Sequence, residues 1–138
     1  MTGVGTVSGP GTGGAVGRLV LVATPIGNLG DLAPRAVTVL AEADVVCCED
    51  TRRTRALLSA AGVPGRGRLV ALHVHNEAER IPQVLGWLAA GKVVALVTDA
   101  GTPAVSDPGA RVVAAALADG RTVTAVPGPS SVLMALVV

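Results

Sequence analysis

The sequence predicts a single α/β domain built on a parallel sheet of five strands. Five apolar runs alternate with amphipathic helical patterns from Arg18 to the end of the 138-residue chain, and this alternation is typical of a parallel sheet with helices packed on it. The runs are apolar at successive positions, as expected for strands that are buried on both faces. Hydrophobic residues make up 50% of the chain and aromatic residues 1%, so we expect an aliphatic core.

Each predicted strand is a short apolar run bounded by turn residues. In chain order the five predicted strands are RLVLVAT (18–24), DVVCCE (44–49), RLVALHV (68–74), KVVALVT (92–98) and RTVTAV (121–126).

The predicted helices follow from apolar periodicity and from capping residues at their ends. Asp31 is the expected cap of the first helix, and the second runs over 51–61. Asn76 and Glu79 predict a capping box for the third, in which Pro82 delays the start or kinks the first turn. Asp107 is the expected cap of the fourth helix, with Pro108 at its first position. A last helix begins in PGPSSVLMALVV (127–138).

Charge and cysteine content restrict the class of protein. The net charge is +1, yet residues 51–68 hold five arginines and no acid. This cluster is either a solvated face or a patch that contacts phosphates. Cys47 and Cys48 are adjacent, with no CxxC spacing, which predicts buried thiols of an intracellular, cytoplasmic protein. No apolar run is long enough to span a bilayer, so we expect no membrane span. Residues 1–17 hold seven glycines and no charged side chain, which predicts a disordered tail.

Ligands of parallel α/β sheets bind beyond the carboxyl ends of the strands. The residues that follow strands one, four and five are TPIGNLGD, DAGTPAVSDPG and PGPSS, which are rich in Gly, Pro and small hydroxyls and poor in charge. Such loops suit a neutral or zwitterionic ligand that backbone groups recognise, of which S-adenosylmethionine is one example; alternatively they are only well-capped turns. His73 and His75 stand two residues apart, and we interpret them as structural or substrate-side residues rather than a metal site.

Five longer strings occur in one order along the chain: VATPIGNLGDL (22–32), CEDTRRT (48–54), HNE (75–77), VTDAGTPAVSDPG (97–109) and VPGPSSVLMAL (126–136). Together they resemble the ribosomal RNA small subunit methyltransferase I family, within the tetrapyrrole methylase superfamily. The resemblance covers residues 18–138. It implies a three-layer α/β/α domain with a five-stranded, mostly parallel sheet, and 2′-O-methylation of a cytidine in 16S ribosomal RNA of the small subunit. It also implies S-adenosylmethionine as the cofactor, and we expect a homodimer.

The resemblance also implies which residues form the site. The cofactor-binding residues would be Pro25, Ala100, Gly101, Thr102, Val105, Ser130 and Ser131. Thr102 stands where the tetrapyrrole enzymes carry an acid, which leaves its contact with the ligand open. Glu49 and Asp50 are the first candidates for the base that deprotonates the ribose hydroxyl, or they pair with neighbouring arginines. Arg52, Arg53 and Arg55 would contact RNA phosphates.

Members of this family are about twice as long as the present chain, so we expect an isolated N-terminal domain that binds the cofactor weakly. Two other interpretations stay open. One is a tetrapyrrole methyltransferase, with the same fold and cofactor and a different substrate. The other is a non-catalytic module that dimerises through its exposed apolar surface.

Overall fold

The computed structural model describes residues 16–63, 68–98, 108–129 and 136–137. Residues 1–15 of the predicted tail lie outside this part of the chain, whereas Gly17 is buried against the backbone of Leu88. The strands are β1 (Arg18–Val22), β2 (Val45–Cys48), β3 (Arg68–Ala71), β4 (Val93–Leu96) and β5 (Thr122–Val126). The helices are α1 (Pro34–Glu42), α2 (Thr51–Ala60), α3 (Glu77–Ala89) and α4 (Ala110–Ala118).

All five strands pair in parallel, in the order β3-β2-β4-β1-β5. The α/β fold with a parallel sheet is therefore confirmed. At the carboxyl edge of the sheet, strands β1 to β4 end one to three residues before their predicted runs do, whereas β5 begins one residue late and ends with its run at Val126. At the opposite edge, the Asp44 carboxylate accepts a hydrogen bond from the amide of Val93 at 2.9 Å, which joins the beginnings of β2 and β4.

Successive residues of each strand point to opposite faces of the sheet, and both faces are buried. Cys47 belongs to the cluster that packs against α3 and α4, through residues such as Leu88 and Val112. Cys48 belongs to the cluster that packs against α1 and α2, through residues such as Leu40 and Leu58. Both cysteines are buried thiols that form no disulfide, as the sequence predicts.

The course of the chain explains this division into layers. From β1 to β3 the connections carry α1 and α2 over one face of the sheet, and from β3 to β5 they carry α3 and α4 over the other face. The chain reverses its direction across the sheet at β3. A change of face together with a change of direction is what right-handed crossovers require.

Two predicted helix starts are wrong. Helix α1 begins at Pro34 after Ala33, and Asp31 ends a separate 3-10 turn, Leu29–Asp31, that Asn28 caps. Proline at the first helical position sets the start of α1, since it needs no amide partner there. Helix α4 begins at Ala110, two residues after Pro108.

The start of α3 is confirmed, since Asn76 is its N-cap residue, but the predicted capping box does not form. Asn76 precedes Glu77, the first residue of α3, but its side chain makes no capping hydrogen bond. Its Oδ1 accepts from the amide of His73 at 2.8 Å, and its Nδ2 donates to the carbonyl of Ala71 at 3.1 Å. Asn76 therefore stabilises the turn after β3. Pro82 lies inside α3 without delaying its start. Asp107 and most of the last predicted helix lie outside the described residues. Residues 136–137 of that predicted helix are described, and they are helical.

Candidate functional site

The strand order places a crevice between β1 and β4. These two strands are neighbours, yet the chain leaves β1 toward β2 on one side and leaves β4 toward β5 on the other. The connections therefore diverge above the carboxyl ends of the pair. Such a topological switch point is where ligands bind in open α/β sheets.

A buried hydrogen bond joins the two strand ends at this point. The hydroxyl of Thr24, two residues after β1, donates to the carbonyl oxygen of Thr98, two residues after β4, at 3.3 Å. Thr24 is 0% exposed and Thr98 is 3% exposed. Pro25, a predicted cofactor residue, follows Thr24 directly and is half-buried.

The segment after β5 packs against the segment after β1. A Cβ atom on Gly128 would lie 2.8 Å from the Cβ of Ala23, so only a glycine allows this approach without a shift. The described ends of β4, β1 and β5 consequently lie side by side, with backbone in close contact.

The other predicted cofactor residues, Ala100, Gly101, Thr102, Val105, Ser130 and Ser131, lie outside the described residues, and their roles stay predictions. The described strand ends carry no charged side chain over residues 23–30, 97–98 and 127–129. What they offer to a ligand is backbone amides and carbonyls, since the Thr24 hydroxyl is buried and donates to Thr98. These groups fit a zwitterionic ligand, whose carboxylate would accept from amides and whose ammonium would donate to carbonyls.

Glu49 and Asp50 leave the sheet at β2, the neighbour of β4 on the other side. The amide of Val97 donates to the carbonyl of Cys47 at 2.9 Å, so β2 and β4 stay paired up to this edge. Asp50 caps α2: its Oδ1 accepts from the amides of Arg52 and Arg53 at 2.9 and 3.4 Å. Glu49, the residue before this cap, is half-buried, as is Asp50. Asp50 thus has a structural role as the cap of α2.

The predicted RNA-binding arginines lie in the first turns of α2. Arg52, Arg53 and Arg55 are all exposed, whereas Thr54 between them is buried against the sheet. The helix therefore directs its basic side toward solvent beside the carboxyl edge. No acid follows Asp50 within α2.

The turn after β3 completes this edge. The rings of His73 and His75 lie edge to face with centroids 5.9 Å apart. Nδ1 of His73 is buried and makes no hydrogen bond. Among the described residues, no three side chains of metal-ligand type come together.

Glu77 is the residue of this edge that sequence reasoning missed. Its carboxylate is 5% exposed and accepts from the amides of Gly109 and Arg111, each at 3.0 Å. The HNE string contains Glu77, but helical spacing draws attention to Glu79 instead. Its partners lie more than thirty residues away, so no local pattern predicts them.

The comparisons with known proteins agree with this geometry. The family described as Tetrapyrrole (Corrin/Porphyrin) Methylases matches residues 18–138. Uroporphyrin III C-methyltransferase from Thermus thermophilus has a TM-score of 0.65 at 25% identity, covering 86% of this chain and 51% of that one. A conserved hypothetical protein from Aeropyrum pernix has a TM-score of 0.67 at 30% identity, covering 86% of this chain and 41% of that one.

The sequence relatives are more similar. Ribosomal RNA small subunit methyltransferase I of Xylella fastidiosa is 52% identical over 120 residues, which are 87% of this chain and 43% of that protein. The protein of the same name from Mesorhizobium japonicum is 52% identical over 118 residues, 86% of this chain and 40% of that protein. The chain thus spans less than half the length of these relatives. No helix among the described residues combines the length and apolar character needed to cross a bilayer. By the extent of the family match and by its fold, the chain belongs to the tetrapyrrole methylase family.

Proposed function

We propose that this chain is the N-terminal part of an S-adenosylmethionine-dependent methyltransferase that acts on the ribose 2′-hydroxyl of a cytidine in small-subunit ribosomal RNA. The observation that carries the proposal is the contrast in identity. The chain is 52% identical to proteins named ribosomal RNA small subunit methyltransferase I, and 25% identical to a uroporphyrin methyltransferase of the same fold.

The cofactor would bind above β1, β4 and β5. S-adenosylmethionine supplies an electrophilic methyl group, so the protein has to bind and orient it rather than activate it. Thr24 and Thr98 hold the strand ends together at 3.3 Å. Pro25 and the predicted residues of the two later loops would line the site. A neutral, backbone-rich edge supports this assignment because it can pair with both charges of the methionine end.

The RNA would lie over β2 and α2. Arg52, Arg53 and Arg55 are exposed beside the carboxyl edge, where guanidinium groups can contact phosphates on either side of the target nucleotide. Strand β2 separates this basic side from β4. Neighbouring strands are about 4.8 Å apart, so a nucleotide can extend from α2 to the methyl donor.

Glu49 and Asp50 both stay candidates for the base, and we rank Glu49 first because Asp50 has a structural role as a helix cap. Asp50 already accepts two backbone hydrogen bonds as the cap of α2. Glu49 is half-buried at the end of the strand next to β4. A carboxylate there is suitably placed to accept the proton of a ribose hydroxyl during transfer. The homodimer and the cytoplasmic location stay predictions.

A methyl-transfer assay tests the proposal. The protein, expressed from its complete gene, is incubated with methyl-labelled S-adenosylmethionine and small ribosomal subunits. These subunits are taken from cells that lack the gene. Methylation of a 2′-hydroxyl blocks alkaline cleavage of the adjacent phosphodiester, so alkaline hydrolysis locates the label. We expect one labelled, alkali-resistant cytidine in the small-subunit RNA.

A second arm of the assay replaces the subunits with uroporphyrinogen III, because a uroporphyrin methyltransferase shares the fold. Label in the tetrapyrrole and none in the RNA would overturn the proposed substrate and retain the enzyme class. No transfer to either substrate, by a protein that binds the cofactor, would favour a module without this activity.

A further inference from the structure

The carboxylate of Glu77 connects two helices that are distant in sequence. Glu77 is the first residue of α3 and is 5% exposed. Its Oε1 accepts from the amides of Gly109 and Arg111, each at 3.0 Å, at the N-terminus of α4. No side chain of α4 caps its own N-terminus, since Gly109 occupies the cap position. A remote acid thus performs the capping.

The position of Glu77 favours a negative charge. It lies in the first turn of α3 and at the start of α4, and both helix N-termini carry partial positive charge from unpaired amides. A local Ser, Asn or Asp would satisfy the amides of α4 equally well. The use of a residue from α3 adds a restraint that a local cap lacks, because it fixes the start of α4 relative to α3.

A second contact restrains the same point. Gly109 has φ of +121°, and a Cβ atom on it would lie 2.7 Å from Cδ2 of Leu96. Leu96 is the last residue of β4. The start of α4 therefore packs against the end of β4, and the Glu77 carboxylate holds it there. The Glu77 hydrogen bonds thus restrain the start of α4, and the Thr24 hydroxyl restrains the end of β4 through the Thr98 carbonyl.

From this geometry we infer that Glu77 is a positioning residue for the cofactor edge. It holds the start of α4 against Leu96 at the end of β4, two residues before Thr98, and so keeps in place the strand end at which we propose that S-adenosylmethionine binds. This inference rests on the proposed function. Loss of the restraint weakens cofactor binding while the two core clusters stay packed, since the restraint consists of hydrogen bonds from two backbone amides.

Four variants test the inference. Glu77→Ala removes the carboxylate. Glu77→Asp keeps the charge but is shorter by one carbon–carbon bond, about 1.5 Å, and cannot reach both amides. Glu77→Gln keeps the reach and an acceptor oxygen. Val84→Ala, two turns further along α3, is the matched control, because Val84 is buried in the core and its truncation destabilises the protein without removing either hydrogen bond to the start of α4.

Three measurements are made on each variant at a temperature where its far-ultraviolet spectrum is native. Calorimetry gives the Kd for S-adenosylmethionine, a filter assay gives the Kd for RNA, and hydrogen exchange gives the protection of the Gly109 and Arg111 amides. We expect Glu77→Ala and Glu77→Asp to raise the cofactor Kd about tenfold, the size of effect expected from small misplacements. Both should lose protection at the two amides and keep RNA affinity. Glu77→Gln should restore most of both properties, and Val84→Ala should change neither.

Each alternative outcome has a distinct meaning. If the wild-type protein does not bind S-adenosylmethionine, the proposed function and the inference that rests on it are both overturned. Wild-type binding together with a Glu77→Asp Kd within twofold of wild type overturns the positioning role alone. An equal loss of cofactor affinity in Val84→Ala overturns it too, since the effect would then follow general destabilisation. If Glu77→Ala does not fold, Glu77→Asp decides.

Discussion

The hydroxyl of Thr24 donates to the carbonyl of Thr98 across 3.3 Å, where the ends of β1 and β4 meet. Both residues are buried at the point where the chain connections diverge. A polar contact inside an aliphatic sheet is stabilising only when it is satisfied. This pair therefore fixes the separation of the two strands that border the proposed cofactor crevice.

Thr24→Val removes that hydrogen bond and keeps the shape of the side chain. We expect the free energy of unfolding to fall by about 1 kcal/mol. Thr38→Val is the matched control, because the hydroxyl of Thr38 donates to Pro34 over the same 3.3 Å but is exposed; its effect should stay within about 0.5 kcal/mol. Urea unfolding measures both variants, and equal stabilities would contradict the structural role of Thr24.

Gly109→Ala introduces a Cβ atom at φ of +121° against Leu96. We expect a loss of about 1–3 kcal/mol, since side chains rarely adopt this conformation. The contrasting variant is Gly86→Ala in α3, where nothing lies within 4 Å of the added atom. It should gain about 0.5–1 kcal/mol from helix propensity. Opposite shifts in the urea midpoint confirm the prediction, and a neutral Gly109→Ala contradicts it.

Burial raises the pKa of the Cys47 thiol from 9.0 to about 12, and the charge of Cys48 adds to the shift, while Arg80 and Arg68 act in the opposite direction. Between pH 9 and pH 12 the Cys47 thiol therefore keeps its proton in the folded state and loses it in the unfolded chain. The resulting stability is complete below pH 9 and is lost as the pH rises from 9 toward 12, by about 1.4 kcal/mol per pH unit.

The Cys47→Val variant isolates this contribution. Between pH 8 and pH 10.5 we expect wild type to lose about 2 kcal/mol more unfolding free energy than Cys47→Val, since one and a half pH units lie above pH 9. Parallel stability curves for the two proteins would show that Cys47 does not titrate in this way.

Asp50 and Glu49 can be separated by amide substitutions. Asparagine caps helices about as well as aspartate, so Asp50→Asn should keep its stability to within about 0.5 kcal/mol, whereas Asp50→Ala should lose about 1 kcal/mol. If Glu49 is the base, Glu49→Gln should lower kcat about 100-fold or more in the methylation assay. A large loss of kcat in Asp50→Asn, with Glu49→Gln active, would transfer the role to Asp50.

Arg52→Gln, Arg53→Gln and Arg55→Gln each remove one cation from α2. For every arginine that contacts a phosphate, the slope of log K for RNA against log salt should fall by about 0.7–0.9. The control is Lys92→Gln, an exposed cation that precedes β4 at the opposite edge of the sheet. Its slope should equal that of wild type. Unchanged slopes in all three arginine variants would remove the RNA from α2.

The strands could be predicted from sequence because their apolar residues occupy both faces. Val45 and Cys47 face one layer of helices while Val46 and Cys48 face the other, so no polar position interrupts the run. The strand order could not be predicted. It depends on which face each helix covers, and apolar periodicity in a helix does not reveal that face.

Two predicted caps fail because neighbouring residues compete with them. Asp31 and Asn76 have capping side chains, but Pro34 fixes the start of α1 and the turn after β3 engages Asn76. Glu77 could not be recognised as a cap of α4, because its role exists only once β3 and β4 have brought α3 and α4 together. Tertiary geometry, rather than residue type, decides such positions.

The most direct test of the proposed cofactor site is a titration of the isotopically labelled protein with S-adenosylmethionine, followed by amide NMR. We expect the largest chemical-shift changes at Thr24, Thr98 and Gly128, with little change at Asp44 and Lys92 on the opposite edge. Changes centred on Asp44 and Lys92 would place the ligand at the wrong end of the sheet and contradict the proposed site.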